Sequence, residues 1–193
     1  ADEALKIAEE GGKELVQGST VWPTSMLNTI RNIQQSCLDY DYANKEALLC
    51  VRHQRFTPPV FYHFRVPEED QDYYDQFRIG GFGASMFYTE HGLPLSEDKQ
   101  WVASRYEKSR ENDERYRNVV PLNEEVLSLH LRREPRFYAD IAAHGTYWYK
   151  KTVGGGNEPL YCNCLQGQRM GTSSKNYDIQ TPQNLTGYYI KKF

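Results

Sequence analysis

The sequence predicts an α+β chain, led by helices and followed by many loops and a few short antiparallel strands. Three observations point that way. Helical periodicity is clearest in residues 1–43. The later apolar runs are short and alternate as strands do, and clusters of glycine, proline and polar residues separate them. No internal repeat at a fixed period organises the remainder. The chain therefore divides into a helical segment, 1–43, and a loop-rich unit, 44–193, that reads as incomplete at its C-terminus.

Each element has its own warrant. In 3–17, Leu5, Ala8 and Leu15 form a helical stripe that Gly11-Gly12 interrupts, and each glycine costs about 1 kcal/mol in a helix interior. In 23–38, Pro23 fits a first turn, and Met26, Ile30, Ile33 and Cys37 recur at helical spacing. "ALLCVRHQ" at 47–54 and "VFYHFRV" at 60–66 read as strands, and "FRIGGFGASMFY" at 77–88 as a glycine-bent β-prone loop. The charged run at 96–118 reads as a solvated loop or exposed helix. Asn123 is placed to cap a helix carrying Val126, Leu127 and Leu129 to Leu131, which Pro135 ends. Residues 136–153 read as extended chain around a turn at His144-Gly145.

With 23 cations against 26 anions, the net charge is −3, so no basic excess exists to track a phosphate backbone and nucleic acid is disfavoured. No apolar run approaches the roughly 18 residues of a transmembrane helix. The opening "ADEALKIAEE" also lacks the pattern of a signal peptide; taken alone, these features read as cytoplasmic. The chain starts inside a helical pattern and ends on the strand-like "TGYYIKKF", so it reads as an excised middle piece.

Chemistry-bearing motifs are sparse. Five scattered histidines make no metal spacing, and Cys162-Asn163-Cys164 is one residue tighter than a zinc clamp. The four cysteines read as ordinary thiols, with a Cys37–Cys50 disulfide open in an oxidising compartment. Gly81-x-Gly83 lacks the third glycine of a dinucleotide loop, and Ser85 lacks the glycine that would follow it in a nucleophile elbow. No cofactor is expected.

The unexplained feature is aromatic content, 13% of residues with 15 tyrosines, in a chain of mean hydropathy −0.77. Flat rings stack on the C–H faces of sugars, while amides, acids and arginines bind the hydroxyls. Trp101, Tyr74, Tyr147 and Trp148 are the candidate platforms, since they lie in or beside polar loops. Trp101, stranded among charges, is expected to be exposed. For Tyr147-Trp148-Tyr149 two readings stand: a binding platform, or a strand with one side buried as core.

The stretch "NEEVLSLHLRREPRFYADIAAHGTYWY" resembles the central signature of the SusD/RagB-like proteins, surface glycan-binding lipoproteins of Bacteroidetes, through Arg133-Glu134-Pro135-Arg136-Phe137-Tyr138-Ala139 and Ile141. "NKEALLCVRHQ" at 44–54, "GLPL" at 92–95 and "GYYIKKF" at 187–193 follow the family pattern in the same order. The resemblance implies that 1–43 is the tail of a TPR-like helical scaffold and 44–193 the family's loop-rich domain. It also implies a parent lipoprotein on the outer membrane, joined to it only through an N-terminal lipid anchor absent from this chain. Its partners would be a glycan and a SusC-like TonB-dependent transporter to which the glycan is delivered, with no bond broken. Because ligand-contacting loops vary across the family, no binding residue carries over by motif.

Two other readings stay open. One is a protein-interaction or structural module whose tyrosines and arginines contact a partner without sugar affinity. The other is a glycoside hydrolase, which needs two converging carboxylates; the adjacent acid pairs at Glu9, Glu68 and Glu124 do not single one out.

Overall fold

The computed structural model describes residues 2–14, 25–38, 45, 80–151, 157–165, 168 and 186–191. Helices α1 (Asp2–Glu10) and α2 (Ser25–Leu38) lead, followed by short α3 (Gly81–Ser85) and α4 (Lys99–Val102). Strand β1 (Lys108–Arg110), a 3₁₀ turn at Glu114–Tyr116, β2 (Glu125–Leu127), a second 3₁₀ turn at Ser128–His130 and α5 (Pro135–Asp140) come next. β3 (Ile141–Ala142), β4 (Tyr147–Lys151), β5 (Asn157–Tyr161) and β6 (Tyr189–Ile190) complete the described elements. The strands make three two-stranded antiparallel sheets, β1 with β2, β3 with β6 and β4 with β5. The α+β class with short antiparallel strands is what the sequence predicts. The strand readings at 47–54 and 60–66 lie outside the described residues, as does Tyr74.

α1 stops where the glycine pair stands. Gly12 adopts φ +76, the Lys13 amide donates to the Ala8 carbonyl and the Gly12 amide to that of Glu9. Those two bonds satisfy carbonyls that the helix end orphans. α2 presents the expected stripe: Ile30 is buried, and Met26 and Ile33 pack against the same cluster. The cluster joins α2 to Tyr116, Val119, Val120, Val126, Leu131, Phe137, Tyr138 and Ile141, and burying such side chains stabilises by about 1.5–3 kcal/mol each.

Three local expectations are corrected. Residues 81–85 form one helical turn rather than a β-prone loop, because Gly80 is extended and the Ala84 amide donates back to its carbonyl. Residues 123–131 are not a helix. Asn123 sits at φ +64, so it turns the chain instead of capping, and Val126 enters a ladder opposite Ser109. Pro135 starts a helix instead of ending one, since its missing N–H costs nothing in a first turn. The charged run is also more ordered than a solvated loop: Asp98 caps α4 by accepting from the Gln100 amide at 3.1 Å, and Asp113 caps the first 3₁₀ turn by accepting from Arg115.

The turn at His144-Gly145 stands as expected, with Gly145 at φ +85. A Cβ there would lie 2.3 Å from a Val126 methyl, so glycine is demanded twice, by backbone and by packing.

Candidate functional site

Arg133 is the largest of the fully buried side chains among the described residues, at 1% exposure. Its guanidinium donates to four carbonyls: Ala84 and Phe87 at 2.8 Å, Leu129 at 2.9 Å and Tyr88 at 3.3 Å. That uses four of its five N–H groups. Its charge centre lies 4.3 Å from the Phe137 ring and 5.6 Å from that of Trp101. Among the described residues no carboxylate forms an ion pair with it, and burial holds its pKa down to about 10, so it stays charged at neutral pH. Arg133 therefore ties the end of α3 to α5 through main-chain atoms.

Around this hub several other polar groups are also paired. The Tyr138 hydroxyl donates to the His130 carbonyl and accepts from the Arg133 amide. Nδ1 of His130 lies 2.8 Å from the His144 carbonyl, which can only accept, so that nitrogen carries the proton. Nε2 then accepts from the Tyr188 hydroxyl at 3.0 Å. Burial pushes His130 down to about 4, and it is neutral near pH 7. Arg132 makes a two-point contact with the buried Glu111 carboxylate, at 2.6 and 2.7 Å, and Glu111 also accepts from the amides of Asn112 and Asp113. Hydrogen bonds from Arg115 hold Asp113 down to about 2.

These groups are consumed by one another, which makes the arrangement an architectural one. Among the described residues no group of three His, Cys, Asp or Glu is placed to hold a metal ion. Cys162 and Cys164 are free thiols whose pKa burial raises. No described helix is long and apolar enough to cross a membrane.

The structure separates the proposed platform residues. Trp101 is 8% exposed, which corrects its expected exposure: the Asp98 cap turns the charged run into α4, and the indole packs on Arg133. Tyr147 and Trp148 are half-buried and follow the strand's alternation. Tyr147 meets the Tyr161 ring edge-on at 6.4 Å, while Trp148 packs against the small cluster of Ala142, Cys162 and Tyr189. Among the described residues, the rings that reach solvent are others: Phe82, 81% exposed, Tyr106, 71% exposed, and Tyr88. The sequence carries a signal for Phe82, which stands between two glycines where little can cover it. Tyr106 lies past the end of α4 with Arg105 over its ring, whereas Trp101 lies inside α4 against Arg133, and composition does not show that difference.

No protein-family model matches the chain, and no curated protein matches it. Among solved structures, two of BT4246, a protein of Bacteroides thetaiotaomicron, are similar to the whole chain. The selenomethionine form superposes with a TM-score of 0.69 at 19% identity, and the other with 0.67 at 18%. The chain spans about a third of their length, 35% and 34%. At this identity the likeness concerns the fold.

Proposed function

We propose that this chain is part of a SusD/RagB-like protein that binds oligosaccharide or polysaccharide at the cell surface without cleaving it and passes it to a SusC-like TonB-dependent outer-membrane transporter. The observation that carries the reading is the place of segment 133–139. The residues that resemble the family signature are those around which the core is tied, through the carbonyl contacts of Arg133 and the buried rings of Phe137 and Tyr138. The fold likeness to a Bacteroides protein along the whole chain supports the same reading.

On this reading the stacking rings include Phe82, Tyr106 and Tyr88. Trp101 acts by holding Arg133 in place rather than by touching sugar. The test is calorimetry of the longer protein that carries this chain against a glycan panel, followed by Phe82→Ala and Tyr106→Ala. Each platform contributes about 1 kcal/mol, so each variant should lose about fivefold in affinity without losing stability. Absence of binding to every glycan would remove the proposal.

A second reading, a protein-interaction module without sugar affinity, draws on Phe82 and Met86. They are four residues apart on the turn that begins at Gly81, both strongly exposed and apolar, as partner-covered surfaces are. Co-purification with a transporter in the absence of any sugar affinity would favour it.

A further inference from the structure

Two histidines close a circuit of contacts around the turn that leads into β4. The His144 carbonyl accepts from Nδ1 of His130 at 2.8 Å, and Nε2 of His130 accepts from the hydroxyl of Tyr188, the residue before β6, at 3.0 Å. On its other side, the His144 ring accepts the Cys164 amide on Nδ1 at 3.3 Å. Cys164 in turn lies against Gly187, where an added Cβ would stand 3.7 Å from that of the cysteine. The exit of β5 and the entry of β6 are thereby fastened to one turn. His130 and Tyr188 are buried, whereas His144 and Cys164 are half-buried, so the His144 side of the circuit is the one that meets water.

A ring nitrogen that accepts an amide N–H cannot carry a proton at the same time. A proton on Nδ1 of His144 sets a donor against a donor and leaves the Cys164 amide without that acceptor. The bonds beside it do not titrate: the Cys162 amide donates to the Thr146 carbonyl at 2.9 Å, and the Gly145 amide to the Cys162 carbonyl at 3.0 Å. We propose that His144 is an acid-sensitive latch, which on protonation releases Cys164 and loosens the entry of β6 while β4 and β5 stay paired. The latch is independent of the glycan reading.

The titratable and charged groups that face His144 are Lys108 from β1, Tyr161 from β5, Cys164 past its end and His130 from the second 3₁₀ turn. The Tyr161 ring meets the imidazole edge-on at 6.0 Å. Burial, and after it Lys108, lower the pKa of His144 from its ordinary value. The latched state therefore refuses a proton that the released state takes, so release grows as pH falls below about 6.5. His130, held down to about 4, stays neutral through most of that range.

Thiol labelling reads the latch. In the longer protein that carries this chain, dithiodipyridine, a disulfide that reacts with thiols even in acid, is the probe, and peptide masses locate the modified cysteine. With rates scaled to free cysteine, Cys164 should react about fivefold faster at about pH 5 than at about pH 7.5. His144→Asn offers an amide oxygen in place of Nδ1 and does not titrate, so its scaled rate should be equal at the two values. An equal rise in His144→Asn overturns the proposal. So does the lack of any rise in the unsubstituted protein, or a rise accompanied by loss of the cooperative thermal transition in acid. Should His144→Asn fail to fold, Lys108→Gln decides: removal of that exposed cation should move the midpoint of the rise to higher pH, and an unmoved midpoint overturns the latch.

Discussion

Arg132 and Arg133 are neighbours whose guanidinium groups end on unlike partners. That of Arg132 grips the Glu111 carboxylate at 2.6 and 2.7 Å and lies 4.9 Å from the Tyr116 ring, whereas that of Arg133 is enclosed by main-chain carbonyls. The backbone divides them: Arg132 adopts φ +52, a left-handed conformation that costs an ordinary side chain about 1 kcal/mol.

That strain reverses a familiar order of substitutions. Arg132→Ala loses the contact with Glu111 and keeps the strained backbone, while Arg132→Gly loses the contact and relieves it. Gly should be the more stable variant by about 1 kcal/mol in urea titration, although glycine ordinarily costs more than alanine. An Ala variant as stable as Gly would mean that the backbone there is not strained.

Arg133→Lys should behave as a severe change. An ammonium is a point donor with three hydrogens and cannot serve four carbonyls spread over residues 84–88 and 129. A loss of about 3 kcal/mol is expected by chemical denaturation, with Arg133→Met in the same range. A change below about 0.5 kcal/mol for Lys would show that the fork geometry is dispensable.

Gly145→Ala faces the left-handed φ and the Val126 methyls together. It should cost about 2–4 kcal/mol. Removing the methyls in Val126→Ala should absorb part of that, so the double variant should be more stable than the two single losses sum to, by about 1 kcal/mol. Strict additivity would place the whole cost in the backbone.

His130 sets an acid limit on stability. Its pKa in the folded chain is about 4 against an ordinary 6.5, so between those values the unfolded chain binds a proton that the folded chain refuses. Stability should therefore fall as pH drops from about 6.5 to 4 and lose the slope below, a span of about 3 kcal/mol at most. His130→Gln should flatten that part of the profile in pH-dependent thermal melts; an unchanged slope would assign it to carboxylates instead.

What the sequence discloses and what it conceals follows from the range of the forces. The end of α1 at Gly11-Gly12, the stripe of α2 and the turn at Gly145 are legible because each is decided within a few residues. Pro135 was misleading because the same ring that ends a helix from outside opens one from its first position, and only the next turn distinguishes the two. β1 conceals itself more completely: Lys108, Ser109 and Arg110 are all exposed and carry no apolar alternation, and they become a strand by pairing with residues 125–127. Trp101 shows the same limit at the candidate site. Its surroundings in sequence are charged, but its surroundings in space include Arg133, 32 positions on along the chain, and Arg133 cancels its charge on carbonyls rather than in water.

The anchor formed by Arg133 recognises main chain, and main chain is identical under every side chain. The turn it holds at residues 84–88 can exchange what it displays, at Ser85, Met86 and Tyr88, while keeping the shape in which it displays it. Conformation and content are thereby inherited separately at this part of the surface. A fold that recruits new cargo or a new partner there has no need to solve its own stability again.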